Sequence, residues 1–213
     1  MFGLFIGSPM NLRDISRTEW LLLALMVTVG VACRFLIETP NFKPIAAFAL
    51  LGGFLLRKPI LVGIAVVVMM ALSDLRLGFY QLPMMISVYA SLALAAMLGV
   101  MIRARSYRTQ PSQRVQSLDL SSDSGWPLMG PLMGQFAGAS LLMSTVFFLL
   151  TNGAVWWMGF GYPPTMAGLG ECYLAGLPFY RWTVLGDLFF TSVMASSYLL
   201  TQVSVKPQAV ALN

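Results

Sequence analysis

The chain has no histidine and only two cysteines, Cys33 and Cys172. A Ser-His-Asp triad is therefore excluded, and no Cys-x-x-Cys or His cluster exists to hold a structural zinc. Charge is the second scarcity. Only 10% of the 213 residues are Asp, Glu, Lys or Arg, where a soluble domain has about 25%. So few charges cannot cover a water-facing surface on a body of this size. No glycine-rich phosphate loop is followed by a basic residue, so no ATP site is visible. The first twelve residues also lack the basic start of a cleavable signal. Gly30-Val31-Ala32-Cys33 only loosely resembles a lipoprotein cleavage site, so the first apolar run reads as an uncleaved helix.

What is abundant is apolar. Hydrophobic residues make up 58% of the chain, and the mean hydropathy is +0.77. Lipid must cover much of the exterior. The net charge of +5 then reads as a topology signal and not as a nucleic-acid surface.

The length fits one domain, 1–213, with apolar helices expected at about 20–36, 44–56, 59–72, 82–102, 128–150 and 183–203. A spanning helix needs roughly 20 apolar residues to cross about 30 Å of hydrocarbon. The second and third runs are short and would span only about 20 Å by themselves. They either borrow their flanks or form a re-entrant hairpin.

Basic residues favour crossing. Six crossings with cytoplasmic termini put Arg13, Arg17, Arg57, Lys58, Arg103, Arg105, Arg108, Arg114 and Lys206 inside. Only Lys43, Arg76 and Arg181 then lie outside, with Arg34 within the first run. The expectation is an all-α polytopic protein of the bacterial inner membrane.

Residues 103–125 read as a cytoplasmic linker between two three-helix halves, and 151–182 as the long outer segment. There Thr151-Asn152-Gly153 would end the fifth helix. Pro163-Pro164 would open a short amphipathic helix, closed by Gly176 and Pro178.

This topology gathers eight charges at the outer end: Arg34, Glu38, Lys43, Asp74, Arg76, Glu171, Arg181 and Asp187. Charges at membrane depth face the bundle interior and pair. At least one ion pair is expected among Arg34, Asp74 and Asp187. A network that merely closes this end is one reading. The other is a polar ligand pocket under the 162–178 segment, with Arg34, Asp74, Arg76, Asn152 and Asp187 orienting a solute. Phe42, Phe79, Tyr80, Trp156, Tyr173 and Tyr180 would supply stacking faces, or serve as interfacial anchors.

Small residues mark two packing stripes: Ala24, Thr28 and Ala32 on the first helix, and Gly130, Gly134 and Gly138 on the fifth. Each suits packing within the bundle or docking of another membrane subunit. Cys33 and Cys172 share the outer side, where they pair, serve a soft metal, or remain plain buried thiols.

Particular strings carry a resemblance. They are Pro40-Asn41-Phe42-Lys43-Pro44-Ile45-Ala46-Ala47 with Gly52-Gly53, Ser73-Asp74-Leu75-Arg76-Leu77-Gly78-Phe79, and Thr151-Asn152. Tyr162-Pro163-Pro164-Thr165, Ala167-Gly168-Leu169, Cys172-Tyr173, Gly176-Leu177-Pro178-Phe179 and Gly186-Asp187-Leu188 complete the set. Over about residues 20–200 the chain resembles an uncharacterised family of small bacterial membrane proteins. That family is in turn similar in size and layout to the S components of energy-coupling factor vitamin transporters. The resemblance implies a six-helix binder of a vitamin-like solute, with cobalamin the first ligand to consider and no resident cofactor or covalent chemistry. It implies docking through Ala24, Thr28 and Ala32 on a membrane coupling subunit served by separate ATPases. Tyr80 stands where many members would carry a histidine after Leu-Gly-Phe, against a metal-ligand role there. The alternatives are a non-transporting scaffold or accessory subunit and, last, an intramembrane enzyme using Asp74 and Asp187.

Overall fold

Six helices are found among the described residues of the computed structural model, which are 15–56, 58–79, 81–109 and 126–204. They are α1 (Arg17–Leu36), α2 (Ile45–Leu55), α3 (Pro59–Leu77), α4 (Leu82–Thr109), α5 (Trp126–Trp157) and α6 (Met166–Ser204). Every described regular element is helical. Five of the helices are long and apolar enough to cross a membrane. Their exteriors carry exposed Leu21, Leu25, Ile60, Leu82 and Leu200, a surface suited to lipid and not to water. The chain is a multi-pass helical membrane protein.

Local chemistry sets several boundaries. Ser16 opens α1 with a capping box: its hydroxyl accepts from the Glu19 N–H at 3.2 Å, and the Glu19 carboxylate accepts from the Ser16 N–H at 3.0 Å. Two donors at this helix start, the Ser16 and Glu19 N–H groups, are thereby satisfied. Pro59 stands in the first turn of α3, where its missing N–H costs no hydrogen bond.

Other boundaries differ from the sequence expectation. α4 continues past Ile102 to Thr109, into the expected linker, and α5 runs through Thr151-Asn152-Gly153 to Trp157. The expected short outer helix is not separate. Residues 166–182 form the first part of one continuous α6, with Pro178 inside it. In apolar surroundings, neighbouring helices and side chains re-satisfy the backbone groups that proline and glycine free, so these residues do not end a helix as they do in water. Arg57, Tyr80 and the 110–125 part of the linker lie outside the described residues.

The shortest helix is the most enclosed. α2 touches all five others, and Ala47 through Phe54 are buried without interruption. A helix apolar on every side belongs in the centre of a bundle. Its 11 residues span only about 16 Å at 1.5 Å per residue. It sits close against α4 because Gly53 and Gly99 carry no side chain. A Cβ on Gly53 would collide with the Ala96 carbonyl, and one on Gly99 with the Leu50 carbonyl. At the far end of α2, the Arg103 guanidinium donates to the Leu56 carbonyl. α5 and α6 are joined by side-chain hydrogen bonds at successive levels: Ser140 to Thr191 at 2.9 Å, Ser144 to Asp187 at 2.6 Å, and Thr145 with Tyr180 at 2.8 Å.

Candidate functional site

A central helix shorter than its neighbours leaves space above its end. The first turn of α2, Ile45 and Ala46, forms part of the lining of a cavity of about 580 Å³. Late residues of α1, α3 and α5 and early residues of α4 surround it, with the first half of α6 and the connections carrying Asn41, Lys43 and Tyr162. Most of the lining is apolar, including Met70, Met143, Phe147 and Phe179. The polar groups on it include Ser91, Thr151, Asn152 and Thr183, and three side chains are ionisable: Arg34, Lys43 and Asp187. Apolar walls with a few convergent polar groups are the usual composition of a small-molecule site, and the volume lies in the usual range.

The three charges differ in how they are compensated. Arg34 pairs with Asp74, Nη1 to Oδ1 at 2.8 Å. The same Nη1 donates to the Ser73 hydroxyl at 2.6 Å and lies 3.4 Å from the Met70 carbonyl. Asp74 is fully buried, and no described donor is directed at either oxygen. The ion pair is what compensates it. Lys43 donates to the carbonyls of Ile37 at 2.5 Å and Thr39 at 3.3 Å, folding its own loop around its ammonium. Burial pushes the Lys43 pKa below its ordinary 10.5, and repulsion from Arg34 adds to this, partly offset by Cys33. Asp187 is 5% exposed and receives the Ser144 hydroxyl at Oδ2. Among the described residues, no cation lies within ion-pair distance of it.

Gly186 explains how Asp187 and Lys43 come to share a wall. A Cβ on Gly186 would sit 3.1 Å from Phe42 Cα and 3.4 Å from Lys43 N. The bare glycine lets the 41–43 connection lie directly on α6.

Of the nine residues singled out for ligand binding, Arg34, Asn152 and Asp187 line the cavity. Asp74 stands behind Arg34. Phe42 packs on Trp182, Phe189 and Phe190, between its lining neighbours Asn41 and Lys43. Arg76 is exposed, 5.4 Å above the Phe35 ring. Trp156 donates its indole N–H to the Pro163 carbonyl at 3.0 Å. Tyr173 donates to the Leu149 carbonyl at 2.9 Å and packs on Phe148. Tyr80 lies outside the described residues. Of the other aromatics, Phe79 is exposed and Tyr180 packs on Phe148.

The small-residue stripes turn outward. Ala24 and Thr28 are exposed and Ala32 is half-buried, while the packed face of α1 is Leu23, Met26, Gly30 and Arg34. A Cβ on Gly130, Gly134 or Gly138 would meet nothing within 4 Å. The ladder therefore makes no close helix contact within the described bundle, and tight glycines stand elsewhere, at Gly53 and Gly99 and also at Gly30, Gly168 and Gly176. Both cysteines are free thiols. Cys172 lines the cavity, and its thiol donates to the Asn152 carbonyl at 3.3 Å.

The α6 wall of the cavity, with Thr183 and Asp187, carries a readable signal in the sequence. Thr183, Asp187 and Thr191 are spaced four apart, as are Ser140 and Ser144, which places each set on one helix face. Polar stripes on two apolar helices mark the faces that meet.

Fold and cavity together define a polytopic helical membrane protein with a mixed polar and apolar cavity at one end of the bundle. Residues 15–209 match the model of a family of unknown function, DUF6580, and the chain belongs to that family. No curated protein and no solved structure matches it.

Proposed function

We propose that this protein binds a small vitamin-like solute in the cavity above α2 and takes part in its uptake across the bacterial inner membrane, in the manner of an S component. The observation that carries the reading is a 580 Å³ space lined by three charged side chains at one end of an apolar bundle. A scaffold gains nothing from leaving such a space unfilled, because close packing is what holds membrane helices together. The opposite end carries Arg17, Lys58, Arg103 and Arg105, which the positive-inside rule assigns to the cytoplasm. The cavity then opens to the outer side. Ala24 and Thr28 lie on the outward face of α1, within reach of a separate coupling subunit with its ATPases.

The volume argues for a ligand of ordinary drug-like size. Cobalamin is far bulkier than that and would not be enclosed. The enzyme reading loses its pair of carboxylates, because Asp74 is spent on Arg34 and only Asp187 lines the cavity.

The test is a panel of small solutes titrated onto the purified protein in lipid nanodiscs, read by thermal shift and calorimetry. Ala175 lines the cavity and is exposed, so Ala175→Trp should obstruct the cavity without disturbing the packed core. The expected result is a solute that raises the Tm of the wild type and does nothing for Ala175→Trp. A solute that binds both equally, or a panel with no binder, would remove the proposal.

A further inference from the structure

Each charge on the cavity wall must be answered by something. Arg34 is answered by Asp74 and Ser73. Lys43 is answered by two carbonyls of its own loop. Asp187 is different. It is 5% exposed, it lines the cavity, and the single Ser144 hydroxyl is its described hydrogen-bond donor. Of the polar neighbours four residues away on the helix face, Thr183 turns its own hydroxyl to the Phe179 carbonyl at 3.1 Å and Thr191 receives the Ser140 hydroxyl. A buried carboxylate with one neutral donor is poorly compensated. The remaining approach to it is from the cavity, which Asp187 lines.

Resting on the reading of the cavity as a solute site, we propose that the ligand is an organic ammonium compound. It carries a primary or secondary amine on an apolar or aromatic body, with Asp187 as its counter-ion. An N⁺–H donor to a carboxylate makes a charge-assisted hydrogen bond, roughly twice as strong as a neutral one. The body of the ligand fits the rest of the wall. Phe147, Phe179 and Tyr162 offer aromatic surface, and Met70, Met84 and Met143 adapt to irregular shapes. Ring faces also attract a cation. A bare metal ion would find far too few oxygens in so apolar a space to replace its hydration shell.

The experiment uses three probes on one skeleton: 2-phenylethylamine, 2-phenylethanol and phenylacetate. Each is titrated onto the full chain in nanodiscs by calorimetry. The amine should bind at least about tenfold more tightly than the alcohol, the size of effect expected of a hydrogen bond to a charged group. Phenylacetate should bind more weakly still. Asp187→Asn, which keeps the shape and can still accept from Ser144, should erase the preference for the amine and leave the alcohol unchanged. Lys43→Gln provides a second reading should Asp187→Asn fold poorly. Removing a nearby positive charge should strengthen amine binding severalfold, whereas an anionic ligand would be weakened. An amine that binds no better than the alcohol, or an Asp187→Asn variant that keeps the preference, would overturn the proposal. Binding of phenylacetate or of neutral panel members alone would overturn the ammonium assignment while the solute-binding reading stands. Failure of every probe and every panel member removes both.

Discussion

Arg34, only 7% exposed, replaces lost water with Asp74 at 2.8 Å, the Ser73 hydroxyl at 2.6 Å and the sulfur and carbonyl of Met70. Asp74 has fewer options, since the guanidinium is its only described compensation. Breaking one side of a buried pair leaves the other charge stranded. Arg34→Met alone, or Asp74→Leu alone, should therefore destabilise the protein by about 3–5 kcal/mol. The double variant should recover most of that loss, because it removes both desolvation costs together. Thermal unfolding in detergent across the double-mutant cycle measures this, and additive losses would show that the pair does not act as one unit. Lys43 makes a pH prediction. Its folded pKa lies below the ordinary 10.5, so between the two values the unfolded chain holds more protons on this group than the folded one. Its contribution therefore becomes more favourable to folding as pH rises through that window. Wild-type stability relative to Lys43→Gln should increase from neutral pH toward 10.5, and a flat difference would contradict the shift.

At the scale of the helix, glycine has two unlike roles in this chain. Gly53 and Gly99 let α2 and α4 approach to backbone contact. Alanine at either position should cost about 1–3 kcal/mol, the usual price of overpacking. Gly134→Ala and Gly138→Ala meet open space and should be neutral or stabilising by about 0.5–1 kcal/mol through helix propensity. Unfolding midpoints of the four variants in one detergent check the contrast. A large loss at Gly138 would show that the ladder is packed after all. The pattern Gly-x-x-x-Gly says that a close approach is possible, and only the fold says whether a partner is there. That limit marks how far the helices were legible. Apolar run length located all six, and the rarity of charge at depth led to the expectation that Arg34 would pair. The ends of α1 and α2 were legible to within a few residues, but those of α5 and α6 were not, because Gly153, Gly176 and Pro178 are breakers only where water competes for the backbone. The cavity was half legible: Arg34, Asn152 and Asp187 belong to it, while the aromatics expected there mostly anchor elsewhere. Aromatic type alone does not separate a stacking wall from a girdle. The four-residue spacing of Thr183, Asp187 and Thr191 would have located the α6 wall more directly.

At the scale of the whole molecule, the open question in the sequence was whether the two short runs cross, and the geometry of α2 bears on it. Ile45, at one end of α2, lines the same cavity as Met84 at the start of α4. The Leu56 carbonyl, at the other end, is bound by Arg103 near the finish of α4. α2 therefore reaches from the cavity toward Arg103, although its 11 helical residues cover only about 16 Å of the roughly 28 Å that α4 rises from Met84 to Arg103. Beyond its end, Leu56 and Lys58 are extended, and a strand-like residue advances about 3.3 Å against 1.5 Å in a helix. Leu56 is buried in protein, which is where non-helical backbone is tolerated at membrane depth. If this is how the chain crosses, Lys58 lies on the side opposite Glu38 and Phe160. Single cysteines placed at these positions, in a background with Cys33→Ser and Cys172→Ser, decide it with a membrane-impermeant maleimide. Glu38→Cys and Phe160→Cys should label in intact cells. Lys58→Cys and Arg105→Cys should label only after the membrane is opened. Labelling of Lys58→Cys from outside would put the end that carries Arg103 outside and turn the cavity toward the cytoplasm. The gradient of positive charge, and with it the outward direction of the cavity, would then have to be abandoned.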